Sequence, residues 1–426
     1  MNNPGPMHDD LLARHAAPRC VVRAGRVVAE GGGRTQHREQ PRRRLLVRVQ
    51  AGEQVVRVGD RVAGPDAVVV AVGAQGTKWL GLPGEGLPNV YHAKDLVYHY
   101  NGLPPYSERD FPLGDDVVVV GMGNVCLDIV HWLVCDKKVA SVTAIARRGP
   151  GERAYTEKEM KIVSGALDLE QVRQTIEAER EAYQAVGQDI DALVSEITQH
   201  AGAPLEEGES PTTFRMRFLR SPLRLEGTDA GVESIVCEKT VLARRDDGSI
   251  TSRGTGEYES IPCDTVVFAI GDSIEPSIGL PLEPRWKSNF MTVPDPWEVN
   301  PNRERYMVYD PETDTPMWGT FVVGWARKAS DGLVGKARAD AVQGCDEVIA
   351  YLRGEFPERP GAPQERDLVW NRLRAKLAER DVEFVDWQGV LRLLELENAI
   401  ARKRQLPEYK FTTTLEMLDC IRESQP

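Results

Sequence analysis

The chain is sparing with cysteine and sets it in no pattern. Its seven cysteines, at 20, 126, 135, 237, 263, 345 and 420, include no Cys-x-x-Cys pair and no Cys/His cluster. That scatter argues against a zinc site or an iron–sulfur cluster and for a reducing cytoplasm. Long apolar runs are missing as well. No stretch approaches the roughly 18 residues of a membrane span, and no signal peptide opens the chain. Positive charge is in deficit. With 53 Lys and Arg against 65 Asp and Glu, the net charge of −12 makes nucleic acid an unfavourable partner. An acidic chain can still present a local basic face to an acidic protein. Hydrophobic content of 41% and charged content of 28% are those of a soluble globular protein, and 426 residues suffice for two or three domains.

What is present is concentrated at one place. Val117-Val118-Val119-Val120 reads as a buried strand, and Gly121-Met122-Gly123-Asn124-Val125-Cys126-Leu127-Asp128 as a glycine turn into a helix starting near Asn124. The amides of that helix start form an anion site suited to a pyrophosphate. An NAD site usually carries an acid some 20 residues further on. Here Arg147 and Arg148 stand at that point. Two guanidiniums favour a 2′-phosphate, so the expected cofactor is NADP. A charge-assisted hydrogen bond contributes about 1.5–3 kcal/mol, so two give roughly 10²–10⁴-fold selectivity before screening. The plain alternative is an ordinary tight turn followed by a solvated Arg-Arg pair.

Along the rest of the chain, residues 1–44 are rich in Arg, Gly and Pro, without helical or strand periodicity, and read as disordered. Leu45–Val49 and Gln54–Val58 look like short strands. Asp66–Ala74 and Asp264–Asp272 each read as a buried strand ending on glycine. Residues 102–116 look like a linker, Glu157–Gly165 a helix, and Glu170–His200 a solvated helical excursion with no chemistry to assign. Phe214–Leu225 and Ile235–Arg244 resemble antiparallel strands. Phe321–Trp325 is a strand ending in a loop, and a helix is expected from Lys336 to about Arg353. Leu391, Leu393, Leu394, Leu396 and Ile400 mark an amphipathic helical tail over about 365–424, read as a packing or oligomerisation element.

Several of these pieces, in order, resemble the adrenodoxin-reductase type of ferredoxin–NADP reductase, related to the glutamate-synthase small-subunit flavoproteins. They include Ala71-Val72-Gly73-Ala74-Gln75, Leu82-Pro83-Gly84-Glu85, Tyr100-Asn101-Gly102, the Gly121–Asp128 turn and Arg147-Arg148-Gly149-Pro150. Ala154–Glu159, Arg217–Pro222, Val323-Gly324-Trp325 and Gly332-Leu333-Val334-Gly335 complete the set. The resemblance covers roughly residues 45–355. It implies an α/β fold with two Rossmann-like (FAD/NAD(P)-binding) domains, an incomplete amino-terminal FAD domain and a helical carboxy-terminal tail. The implied divisions are 1–44 outside the family pattern, 45–102 a remnant of the FAD domain and 103–285 the NADP domain. Residues 286–355 would return to the FAD domain, with 356–426 a helical extension.

Function follows from the same resemblance. Family members pass a hydride from NADPH to FAD, and electrons then leave singly to a ferredoxin-like iron–sulfur protein. Carried over by position, Arg147 and Arg148 hold the 2′-phosphate, and Glu159 supports that clamp or the nicotinamide end. Gly121, Gly123, Asn124 and Val125 line the pyrophosphate. Asp128 matches the acid in the proton network near the nicotinamide. Gly324, Trp325, Gly332, Leu333 and Val334 match the segment along the flavin ring. A glycine-flanked loop opening a helix offers that ring amide donors and a partial positive charge. Arg215, Arg217, Arg220 and Arg224 are a concentrated basic set, offered as a docking face for an acidic ferredoxin. One departure stands out: no strand–GxGxxG–helix for the ADP half of FAD, and no flavin-facing His segment, is found in residues 1–65. Either the amino terminus as written is truncated or out of frame, or the chain is a partner-dependent, even non-catalytic, NADP-binding subunit. A flavin-free NADP dehydrogenase is the weakest reading, since no Tyr-x-x-x-Lys accompanies the cofactor motif.

Overall fold

A computed structural model of the chain describes residues 46–47, 67–205, 208–283, 289–293, 306–327, 334–353 and 387–423, with isolated positions 375, 379 and 385. In chain order the strands are β1 (Leu46–Val47), β2 (Val68–Val70), β3 (Gly76–Thr77), β4 (Val90–His92), β5 (Asp116–Val120), β6 (Ser141–Ile145) and β7 (Thr213–Arg217). They continue as β8 (Arg220–Thr228), β9 (Gly231–Arg244), β10 (Ile250–Pro262), β11 (Thr265–Phe268), β12 (Asp272–Ser273), β13 (Met307–Asp310) and β14 (Thr315–Val322). The main helices are α1 (Ala93–Tyr100), α2 (Asn124–Trp132), α3 (Glu157–Val163), α4 (Leu169–Ala178), α5 (Arg180–Gln184), α6 (Ile190–Thr198), α7 (Val334–Leu352), α8 (Trp387–Arg404) and α9 (Thr414–Glu423). Two compact units divide the chain. One is Lys78–Gly271; the other comprises the described residues before and after it.

Within Lys78–Gly271 the central sheet has the order β4-β11-β5-β6-β7, with every pairing parallel. The valine run of β5 has a direct structural cause. Val117 and Val119 face helix α2, joining Leu127, Ile129 and Val130, while Val118 and Val120 face an antiparallel sheet and meet Ile235 and Cys237. A strand covered on both faces has no polar side, so alternation disappears from its sequence. The covering sheet, β10-β9-β8, is antiparallel throughout.

Two expectations need correcting in this unit. Phe214–Leu225 is not one antiparallel strand. It breaks at Leu219, whose φ is +56°. The part before the break, β7, lies parallel to β6 with Phe214 and Met216 buried, and the part after it, β8, pairs antiparallel with β9. Alternation shows that a strand exists but not which sheet it joins. Nor is Glu170–His200 merely solvated: α4, α5 and α6 bury Val172, Ile176, Tyr183, Ile190 and Ile197 in the main core.

The other unit holds the sheet β1-β2-β14-β13, parallel except for β13. Val69 and Phe321 pack with Val348 and Tyr351 of α7 on one face, and Val70 and Val322 with Phe290 on the other. The short antiparallel pair β3–β12 joins residues 76–77 to 272–273, where the chain leaves this unit and returns. Helices α8 and α9 supply the described part of the expected tail. The expectations for residues 1–44 and Gln54–Val58 lie outside the described residues, as does nearly all of 354–386.

Candidate cofactor site

Gly121 ends β5 with φ +133°, a region L side chains avoid, and a Cβ there would overlap the Ala269 carbonyl oxygen. Its N–H donates to Ile145 O at 2.9 Å. Only glycine lets the chain turn this tightly between two parallel strands. Gly123 has a different role. It is the N-cap of α2, extended at φ −111°, ψ −178°, with no side-chain cap and nothing within 4 Å of where a Cβ would lie. The helix start therefore presents backbone amides to an open space, the donor arrangement an anion needs. Val125 stands 41% exposed at the same place, an apolar residue on a helix end otherwise ready for polar contacts. Asn124 turns sideways: its Oδ1 accepts the Thr156 N–H at 2.8 Å, while Ala154 N–H donates to Met122 O at 2.9 Å. These two bonds seat residues 154–156 against the turn.

Arg147 and Arg148 follow β6 with both side chains exposed. Their backbones are tied down. Thr240 Oγ1–H donates to Arg147 O at 2.7 Å, Leu219 N–H to Arg148 O at 3.3 Å, and Arg220 N–H to Ala146 O at 2.8 Å. Among the described residues, neither guanidinium has a hydrogen bond or ion pair. A fixed main chain carrying two uncommitted cations is what a phosphate dianion requires.

Asp128 sits one turn along α2 from Asn124. Solvent reaches its carboxylate, yet surrounding protein raises its pKa from 3.8 to about 6, burial first and Glu159 second. The exposure and the desolvation are compatible when the group lies in a recess open on one side. Tyr100 is pushed well above its ordinary range by burial, then by Asp128 and Asp136. Glu159 is thus brought to Asp128; among the described residues it makes no bond to the arginine pair.

In the other unit, Gly324 has φ +63°, and its N–H donates to Asp340 Oδ2 at 2.7 Å, the same carboxylate that pairs with Arg327. That amide is committed within the protein. Trp325 differs: its Nε1 is buried and has no acceptor among the described residues. Gly332 and Leu333 lie outside the described residues, and Val334 is described only as the first residue of α7.

The basic set is less open than its sequence suggests. Arg217 and Arg220 both pair with Glu259, Arg215 lies 3.7 Å from Asp168, and Arg224 is 2.7 Å from Glu226. Asp168 and Glu259 come from distant segments, so composition alone could not reveal those pairings, whereas Glu226 lies two residues after Arg224 on β8.

NADPH-ferredoxin reductase FprA of Mycobacterium leprae is 29% identical over 413 residues, spanning 89% of this chain and 83% of the relative. Mitochondrial NADPH:adrenodoxin oxidoreductase of Arabidopsis thaliana is 26% identical, spanning 96% and 89%. The solved structure of Mycobacterium tuberculosis FprA in complex with NADPH superposes with a TM-score of 0.65 at 25% identity, covering 86% of this chain and 81% of that one. This chain is similar to the NADPH-ferredoxin and NADPH:adrenodoxin reductases. No family model matches it. The chain carries the α/β architecture expected from its motifs. Sequence reasoning missed Thr240, Glu152 and Gln188, which hold the arginine segment from behind; the only signal was Glu152, three residues after Gly149, as in a capping turn.

Proposed function

We propose that this chain is an NADPH-dependent flavoprotein oxidoreductase that passes electrons from NADPH through FAD to a ferredoxin-like iron–sulfur protein. The observation that carries the reading is the pair of uncommitted guanidiniums on a pinned backbone in the same unit as an uncapped, sterically open helix start. Arg147 and Arg148 clamp the 2′-phosphate, and Gly121, Gly123, Asn124 and Val125 shape the pyrophosphate seat. Asp128, supported by Glu159, holds a proton at the nicotinamide end. When bound, FAD supplies a carrier that accepts a hydride and releases electrons singly. Gly324, Trp325, Gly332, Leu333 and Val334 would lie along its ring. Trp325 fits that role physically, because a buried N–H without an acceptor costs about 1–3 kcal/mol, which a ligand acceptor would relieve. Gly324 contributes backbone shape rather than its amide.

In this reading residues 103–285 are chiefly the NADP domain, with 45–102 and 286–355 contributing to FAD binding, although 78–102 pack in the Lys78–Gly271 unit and 272–283 in the other. Residues 1–44 and the extension 356–426, whose described helices are α8 and α9, fall outside both. Arg215 and Arg224, the more exposed of the basic set at 39% and 44%, carry most of the ferredoxin docking, while Arg217 and Arg220 act mainly through Glu259. A cytoplasmic location suits six described cysteines that are all free thiols; no helix among the described residues is long and apolar enough to cross a membrane. The test is direct. Purified protein should show flavin absorbance and reduce cytochrome c with NADPH only when ferredoxin is added. A colourless protein that binds NADP would instead identify a partner-dependent NADP-binding subunit.

A further inference from the structure

The helical excursion 169–200, for which the sequence offers no chemistry, packs its Tyr183–Gln188 turn directly behind the arginine pair. A Cβ on Gly149 would come 2.8 Å from the Tyr183 ring, and one on Gly151 would come 2.5 Å from Gln188 Nε2, so the two turns meet with no side chain between them. The excursion's turn is itself fixed, since Arg244 donates to Val186 O at 2.5 Å and Asp189 caps α6 through the Ala192 N–H at 3.1 Å. At the junction lies Glu152. Its Oε1 accepts from Gln188 Nε2 at 2.5 Å and its Oε2 from the Gly149 N–H at 3.2 Å. Both carboxylate oxygens are thereby turned into the protein. Arg148 is four residues away and feels the charge: its guanidinium favours the ionised Glu152, although burial outweighs it and raises the pKa.

Resting on the NADP reading above, we propose that Gln188 is a positioning residue for 2′-phosphate recognition: it holds the Glu152 carboxylate inward and so keeps Arg148 available to the phosphate. Without that amide donor, Glu152 can swing to the guanidinium and compete with the ligand for it. An exposed pair of this kind is worth little, which sets the scale of the effect at about fivefold.

The experiment measures binding of 2′,5′-ADP and 5′-AMP to the full chain by calorimetry, in the wild type, in Gln188→Met and in Gln188→Met combined with Glu152→Gln. The wild type should prefer 2′,5′-ADP. Gln188→Met, similar in length but without the donor, should weaken 2′,5′-ADP about fivefold and leave 5′-AMP unchanged. Adding Glu152→Gln, which deletes the competing charge, should restore 2′,5′-ADP binding to within about twofold. Equal weakening of both ligands, an undiminished preference in Gln188→Met, or a loss that Glu152→Gln does not restore would each overturn the positioning role alone. Equal binding of the two ligands by the wild type would overturn the arginine clamp and the positioning role with it.

Discussion

Arg147 and Arg148 share an asymmetry within each residue: a main chain bonded to Thr240 of β9 or to Leu219, and a guanidinium in solvent. Replacing both by alanine should cut the preference for NADP+ over NAD+ by roughly 10²–10⁴, with NAD+ affinity unchanged, as read by titration calorimetry. A parallel loss for both coenzymes would mean the arginines support the fold rather than the phosphate. Asp128 makes a prediction of opposite sign to most carboxylates. Its folded pKa of about 6 lies above the ordinary 3.8, so the folded state holds this proton more tightly than the unfolded chain. Its contribution to stability is therefore gained as pH falls through 6 towards 4 and lost as pH rises through 6. Asp128→Asn should raise Tm at pH 8 and leave it nearly unchanged at pH 4. It should also remove a step near pH 6 from the kcat/KM profile for NADPH.

At the scale of elements, the β5–turn–α2 unit separates glycines that look interchangeable in sequence. Gly121→Ala forces a side chain to φ +133° against a carbonyl oxygen and should cost on the order of 1–3 kcal/mol, visible as a lowered Tm. Gly123→Ala meets open space at an allowed φ, so Tm should hold within a few degrees. Its new methyl would nonetheless occupy the anion seat, and NADP+ affinity should fall tenfold or more. The opposite pattern, a stable Gly121→Ala and an unfolded Gly123→Ala, would refute this division of labour. The motif's spacing was readable from the sequence because strand, turn and helix follow from local chemistry. The split of Phe214–Leu225 between two sheets was not, because both halves alternate equally well. The buried side of 169–200 was missed for a related reason: its apolar residues, such as Val172 and Ile176, are spaced among many Glu and Gln, and burial depends on a distant strand.

For the whole molecule, charge is the informative quantity. The net charge of −12 opposes an acidic ferredoxin at long range, so the docking proposed above rests on local arginines, and those are partly neutralised by Asp168, Glu226 and Glu259. Ferredoxin-dependent cytochrome reduction should still fall as salt is raised between about 50 and 500 mM, since the Debye length shrinks from about 14 Å to about 4 Å and screens the approach. Arg215→Ala with Arg224→Ala should lower the rate in low salt and flatten that dependence. A rate indifferent to salt would exclude these arginines as the docking face.

Local order in the chain settled where the buried strands lie, where α2 starts, and that two arginines follow β6, because backbone sterics and charge act over a few residues. Tertiary structure alone decided which cations remain uncommitted. Arg147 and Arg148 stay open while Arg217 and Arg220 are consumed by Glu259, a residue some forty positions away that β8–β9 and β9–β10 pairing together bring near. An electrostatic partner is defined by distance in space, and distance in space is what folding supplies.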